Sequence, residues 1–502
     1  MSGNILERID ERRVAVSAPD DGMVDYCRVV PYLPDSEFPE FSGIVPVGDS
    51  PNPVTRRLRE VMRLMGLDAE RFGTREWNPL GELVSPGDRV VIKPNLVRHI
   101  HLAGGGIDSV ITHPSLTRAV GDYVAKALSG SGEIIIGDAP VQSADFNKLI
   151  EITSMKEVAA DISGCWGVTV SVRDFRLHAV TLGKHNEVVA SSELEGDADG
   201  YTAVDIGKDS LLVPLEESSH MFRVTSYDCS EMPKHHGGGI HEYLIPKSIL
   251  ESDVVVNLPK LKTHRKVGIT AALKNLVGIN GYKDWLPHHR EGSIEEGGDE
   301  YRDKSSLKCL LNRIIEKRHE ERPSGSGTFD RVVLRAVHKL SSIVDGDPYM
   351  EGSWYGNDTL WRTVLDLNRI LRYADRKGLV SEGIKRRVVT FVDAIIAGEG
   401  EGPMEPEPRM CGMVIGGLNQ SAVDASIAGI IGFDFRVIPV VSKGFEIGAL
   451  SVADFKPEEI EISSDSPRWD GFSVTAPKNT LNFKAPGGWR GHVELRPGRE
   501  SE

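Results

Sequence analysis

Three stretches between residues 85 and 140 decide the fold class: "SPGDRVVIKPNLV" (85–97), "THPSLTRAVGDYVAKAL" (112–128) and "GEIIIGDAP" (132–140). The first is a Pro-Gly-Asp turn followed by a short apolar strand that stops at Lys93. The second opens like a capped helix. Thr112 offers a hydroxyl at the N-cap, and Pro114 sits where its missing N–H costs little. The third is an isoleucine run with Asp138 at its carboxyl end, as a buried strand would read. Strand, helix, strand at this spacing is a βαβ unit. It predicts an α/β protein with a mostly parallel or mixed sheet flanked by helices.

The pattern extends in both directions. "DVVVNLPK" (253–260), "VVTFVDA" (388–394) and "CGMVIGG" (411–417) read as further core strands, and "RVAV" (13–16) as an edge strand. Helices are expected at 52–67, 267–278, 331–344 and 420–433, and "KHHGGGIHEYLIPKSIL" (234–250) as a loop running into a helix. The organisation that follows has five parts. Residues 1–84 are an N-terminal extension contributing to the core, and 85–290 the main α/β region. Residues 291–387 are an insertion or helical, cleft-forming region, 388–456 a return to the core, and 457–502 a packing tail.

Composition bounds the function. The 502 residues carry a net charge of -15, with 40% hydrophobic and 26% charged residues. That balance describes a soluble globular protein, and no apolar run is long enough to span a bilayer. The N-terminus has charges where a signal peptide needs an apolar core, so a cytoplasmic location is expected. An acidic chain lacks the broad basic face that nucleic acid requires. Five scattered cysteines without a CxxC offer no zinc knuckle or ferredoxin-type cluster.

Against that acidity, "PKLKTHRKVGITAALKNLVG" (259–278) gathers four lysines, an arginine and a histidine with no acid. In an extended chain Lys260, Lys262 and His264 face one way. Lys274 and Asn275 follow on the expected helix, whose free N–H groups near Gly268 to Thr270 would add anion-binding capacity. Lys93, Asn95, Asp138, Asn257, Lys260 and Asp393 all stand at strand ends. In an open parallel sheet that is where ligands bind, so these residues should share a crevice. Asp138 and Asp393, helped by Glu399, Glu401 or Asp424, supply the oxygen ligands that Mg²⁺ would take. They serve equally as helix caps or lysine partners. His235, His236 and His241 surround a triple glycine, and His288 and His289 follow Pro287. They form a metal site only if the fold makes them converge. "GEGEGP" (398–403) matches neither GxGxxG nor GxxxxGK[ST], so no dinucleotide or Walker-type site is expected.

The order of "VVIKPNLV", "THPSLTRAV", "IIIGDAP", "VVVNLPKLKTHRKVGITAALKNLVG", "VDAIIAGEGEGP" and "GGLNQSAVDA" resembles the family called domain of unknown function 362, over roughly residues 89–433. The resemblance singles out Lys93, Asn95, Thr112, His113, Asp138, Lys260, Lys262, His264, Lys274, Asn275, Asp393, Glu399, Gly402 and Asp424. Of these, Lys93, Asn95, Thr112, His113 and Asn275 are expected to bind a cofactor or ligand, and Lys260, Lys262, His264 and Lys274 to act on it. Asp138, Asp393, Glu399 and Asp424 are the expected metal positions. Some relatives carry ferredoxin-like cysteine motifs, and this chain does not, so no iron–sulfur cluster is expected. The large additions outside the family's compact core would shape a substrate cleft or an interface between copies of the chain. The expected function is an enzyme acting on a small phosphorylated or carboxylated metabolite through a lysine-rich crevice, with His264 transferring the proton. The alternative is a non-catalytic anion-binding or scaffold protein.

Overall fold

A computed structural model describes residues 10–19, 25–182, 188–224, 229–306, 308–309 and 350–495. Ten strands form one mixed sheet: β1 (Arg13–Ser17), β2 (Arg89–Pro94), β3 (Glu133–Asp138), β4 (Thr169–Asp174), β5 (Val254–Leu258), β6 (Lys260–His264), β7 (Gly268–Thr270), β8 (Arg387–Glu401), β9 (Glu405–Gly417) and β10 (Glu461–Ser464). The order across it is β10-β1-β9-β8-β5-β2-β3-β4, with β6 joined to β8 and β7 to β6. Strands β8, β5, β2, β3 and β4 run parallel. The β2–helix–β3 unit is as expected, with helix Pro114–Leu128 as its crossover.

Alternation along the central strands builds three layers, since successive side chains point to opposite faces. Val91, Ile135 and Val255 enter one core with helices Leu360–Tyr373 and Gln420–Ile431. Val90, Ile92, Ile134, Ile136, Val254 and Val256 enter the other, with helices Pro53–Leu64, Pro114–Leu128 and Met155–Trp166. With both faces covered, every residue of β5 is buried. This explains why its sequence reads as an unbroken apolar run.

Four local expectations are corrected. β1 is not an edge strand: β9 flanks it on one side and β10 on the other. The N-cap of helix Pro114–Leu128 is His113, whose Nδ1 accepts from the Ser115 amide, while Thr112 turns its hydroxyl to the Leu258 carbonyl. Ile240–Pro246 is a strand paired with Tyr201–Asp205, and helix is limited to Lys247–Leu250 after it and the end of Met232–His235 before it. Residues 267–278 are not one helix. Gly268, at φ 81°, lets the chain reverse, and β7 then pairs antiparallel with β6. Helix is confined to Ala272–Asn275, followed by a 3-10 turn over Leu276–Ile279. The helix expected at 331–344 lies outside the described residues.

Pro259 separates β5 from β6, and this break positions the site. Before it, β5 pairs with β2 and β8. After it, β6 keeps β8 as its neighbour, with Lys260 beside Asp393 and Lys262 beside Gly398 across a register shift. The turn into β9 is held to β6 by the Arg265 amide donating to Gly402 O at 3.0 Å. A Cβ on Gly402 would lie 1.9 Å from the Thr263 carbonyl oxygen, so backbone approaches backbone there. Gly402→Ala is therefore expected to lower stability by about 1–3 kcal/mol, the range typical of overpacking. Denaturant unfolding checks this against Gly106→Ala, a glycine at φ -70° with open space around it. Equal loss in both variants would refute the close approach.

Candidate functional site

The strand ends converge. Lys93 at the end of β2 forms an ion pair with Asp138 at the end of β3, 2.7 Å away, and both are buried. Burial pulls the Lys93 ammonium below the usual lysine range, opposed by the Asp138 charge. Asn275 ties the neighbouring strands together. Its Oδ1 accepts from Lys93 Nζ at 3.2 Å and Asn95 Nδ2 at 2.9 Å. Its Nδ2 donates to the Lys93 carbonyl at 3.2 Å and to Asn257 Oδ1 at 2.8 Å. Gly278 leaves room for the pair, because a Cβ there would meet Asp138 Oδ1 at 2.0 Å.

A second network lies along β6 and β8. Lys260 pairs with Asp393 at 2.7 Å and donates to Tyr26 Oη at 2.7 Å and to the Ile396 carbonyl at 3.1 Å. Tyr26 Oη donates to Asp393 Oδ1 at 2.6 Å, and the His113 amide donates to Oδ2 at 2.8 Å. The Tyr26 ring stacks on His113 with centroids 4.0 Å apart. Burial, with the Asp393 charge, raises the Tyr26 hydroxyl well above its ordinary value, so it stays protonated.

Counting donors separates the expected site residues into two groups. Lys93, with Asp138, Asn275 and the Pro94 carbonyl as partners, and Lys260 have used their three N–H groups. Asn95, Thr112 and Asn275 are likewise committed to protein partners. These residues are scaffold. Lys262 keeps a margin: its Nζ donates to Asn95 Oδ1 at 3.2 Å and to the Val110 carbonyl, with no carboxylate bound. Burial first, then the charges of Lys260 and Lys274, hold it well below the ordinary lysine value.

His264 and Lys274 form the open side. The Lys266 amide donates to His264 Nδ1 at 3.0 Å, so the neutral ring carries its proton on Nε2. Burial and the charges of Lys274, Lys262 and Lys266 keep that ring neutral. Lys274 is partly accessible and makes no hydrogen bond or ion pair with the described residues. Its pKa is brought down to about 8 by burial, then by Lys266 and Lys93. Thr270, directly opposite Lys262 in the β6–β7 register, is buried with an unpartnered hydroxyl.

The four carboxylates expected to hold Mg²⁺ are not brought together. Asp138 and Asp393 face lysines, and Glu399 accepts from the Lys484 amide at 3.1 Å. Asp424 accepts from the amides of Ala272 and Leu273 at 2.6 and 3.1 Å. It thus occupies the helix N-terminus that was expected, near Gly268 to Thr270, to meet an anion. Glu401 accepts from the Gly487 amide. Among the described residues no group of three His, Cys, Asp or Glu side chains could hold a metal ion, the histidines around Gly237–Gly239 included. His235 instead pairs with Glu242 and stacks on Trp285.

Two contributors were missed. Tyr26 comes from an aperiodic loop more than two hundred residues from Lys260, and nothing local marks it. Lys283 is buried, donates to the Val277 carbonyl at 2.9 Å, and has its pKa lowered to about 7, mainly by burial. Its signal was a lysine closely following the basic stretch.

A three-layer α/β protein with a buried, lysine-rich set of strand ends is the class these features define. Residues 90–201 and 212–429 match the model of the family described as domain of unknown function (DUF362), and the chain belongs to that family. It is similar to a thylakoid-associated protein of Synechocystis sp., 21% identical over 370 residues, which cover 74% of this chain and 71% of that protein. A crystal structure of a Thermotoga maritima protein aligns at 11% identity and a TM-score of 0.30, covering 77% of this chain and 59% of that one. Among the described residues no helix is long and apolar enough to cross a membrane.

Removing one member of a buried pair leaves an uncompensated charge, which costs about 3–5 kcal/mol. Asp138→Leu should therefore destabilise the protein by that order. Adding Lys93→Met should restore part of the loss, because both charges are then gone. Chemical unfolding of the two single variants and the double variant checks this. Strictly additive losses would mean that Lys93 and Asp138 are not coupled.

Proposed function

We propose that the protein is an enzyme acting on a small anionic metabolite, phosphorylated or carboxylated, at the open side of the lysine cluster. One observation carries this reading: Lys274, a partly accessible residue, makes no hydrogen bond or ion pair among the described residues and stands in the field of Lys266 and Lys93, and its own charge reaches Lys262 and His264. Asp138 is the one carboxylate whose charge opposes theirs at Lys274. An unpaired ammonium at Lys274, in the field of Lys266 and Lys93, is costly to bury, and a bound anion offsets that cost. The chain's net charge of -15 confines the attraction to this crevice, which suits a small molecule rather than nucleic acid.

Each open group has a role by its bonding. Lys274 attracts the anion. His264 donates to an anion oxygen through Nε2–H, the proton from which its expected transfer role would start. Lys262 donates to Asn95 and Val110, and its burial beside other lysines favours loss of its proton, which suits it to proton transfer.

Sulfate keeps its charge across neutral and mildly basic pH, so its binding reports on the protein. The amine is charged below its pKa of about 8 and anion binding favours the charged form, so affinity is full below that pH. It should weaken about tenfold per pH unit above it. Lys274→Met should lose at least about tenfold in affinity at neutral pH, equivalent to ~1.4 kcal/mol. Isothermal titration calorimetry reads both effects. Binding indifferent to pH and to Lys274→Met would sink the assignment.

A further inference from the structure

The anion site has a feature that electrostatic capture does not use. Five other lysines surround Lys274 or line the same strands, and each is committed. Lys93 and Lys260 hold carboxylates, Lys262 is fully buried between two acceptors, and Lys283 donates to a carbonyl. Lys266 lies in the field of Glu351 and Glu300. Among the described residues, Lys274 alone of the six combines partial access with an amine that makes no hydrogen bond or ion pair. Its charge is felt by a ring N–H donor, His264 Nε2, and by Lys262, whose burial favours loss of its proton.

We propose that Lys274 is a nucleophile that forms an imine with the carbonyl carbon of a small oxo-anion, an oxo acid or a phosphorylated aldehyde or ketone. This rests on the anion-binding reading above and gives its substrate class. The Lys274 lone pair attacks the carbonyl carbon, a C–N bond forms, and the C=O π pair moves to oxygen, where His264 Nε2–H meets it. The attacking nitrogen loses two protons, and Lys262 accepts each in turn and passes it to that oxygen, first making the carbinolamine hydroxyl and then the departing water. Water leaves and C=N remains, so amine and carbonyl give imine and water with no net redox change.

Two physical features support the step. A lysine becomes nucleophilic when burial and neighbouring cations lower its pKa, and both act on Lys274. At a pKa of about 8, roughly a tenth of the amine is neutral at pH 7, against roughly one part in three thousand for an ordinary lysine. The gain is a few hundredfold in reactive form. The same cations hold the negatively charged end of the substrate, so binding places the carbonyl against the amine.

The test is borohydride trapping on the full chain, with pyruvate in one arm and pyridoxal 5′-phosphate in the other. Proteolysis and mass spectrometry then locate the reduced adduct. The expected result is a single adduct on Lys274 in at least one arm, suppressed by excess sulfate and absent from Lys274→Arg. The arm that reacts tells a carboxylated from a phosphorylated substrate. Labelling should rise with pH and level off above about 8, where an ordinary lysine would still be rising at about 10. Lys274→Arg keeps the charge, so retained sulfate binding shows that the variant is folded. Sulfate binding in the wild type without any Lys274 adduct overturns the imine and leaves the anion site standing. Adducts spread over exposed lysines such as Lys148 and Lys377 overturn it equally, and absence of both binding and adduct removes both readings.

Discussion

The burial of two lysine–aspartate pairs at the carboxyl ends of parallel strands governs the rest of the site. An isolated charge in such a place is unaffordable, so Lys93 requires Asp138 and Lys260 requires Asp393. Each pairing joins two strands of the sheet: β2 to β3, and β6 to β8. Asn275 then fills the remaining acceptors and donors between β2 and β5, and Gly278 leaves the space. A half-satisfied network would be worse than an apolar core. Here the satisfaction is nearly complete, and Lys274 is left without a hydrogen bond or ion pair among the described residues.

The break at Pro259 turns that rigid end into a site. β5 stays within the parallel core, while β6 carries the same chain direction onward along β8 alone. The side chains of Lys260, Lys262 and His264 therefore advance outward in steps of two residues, from a closed ion pair to an open imidazole. The β7 strand returns antiparallel and brings Thr270 opposite Lys262. The short helix behind it delivers Lys274. A graded series results: fully bonded, partly bonded and unbonded amines within fifteen residues.

Much of the frame was legible because it is local. The apolar runs at 89–94, 133–138 and 254–258 announce buried parallel strands, and their last residues announce the site. What escaped was set by distant partners. Residues 268–270 have the β-branched Ile269 and Thr270, but helix formers follow, and only pairing with β6 decides for strand. β1 looked like an edge because β10 lies more than four hundred residues away in sequence. The roles of the lysines were not legible at all. Lys260, Lys262 and Lys274 are the same residue type in one basic run, and they differ only in how many acceptors the fold offers each.

Asp424 shows the same logic from the acidic side. In sequence it is a carboxylate near others and could equally be a metal ligand. In the fold it sits on helix Gln420–Ile431 with no cation beside it, receiving two amide N–H groups. Burial lifts its pKa to about 7, although those amides pull the other way. A carboxylate held like this helps fix the backbone that carries Lys274, without drawing the Lys274 ammonium into an ion pair. Neutralising Lys274 directly would have closed the site. Placing the acid one helical turn away, on the backbone amides, keeps the amine in position and leaves it uncommitted.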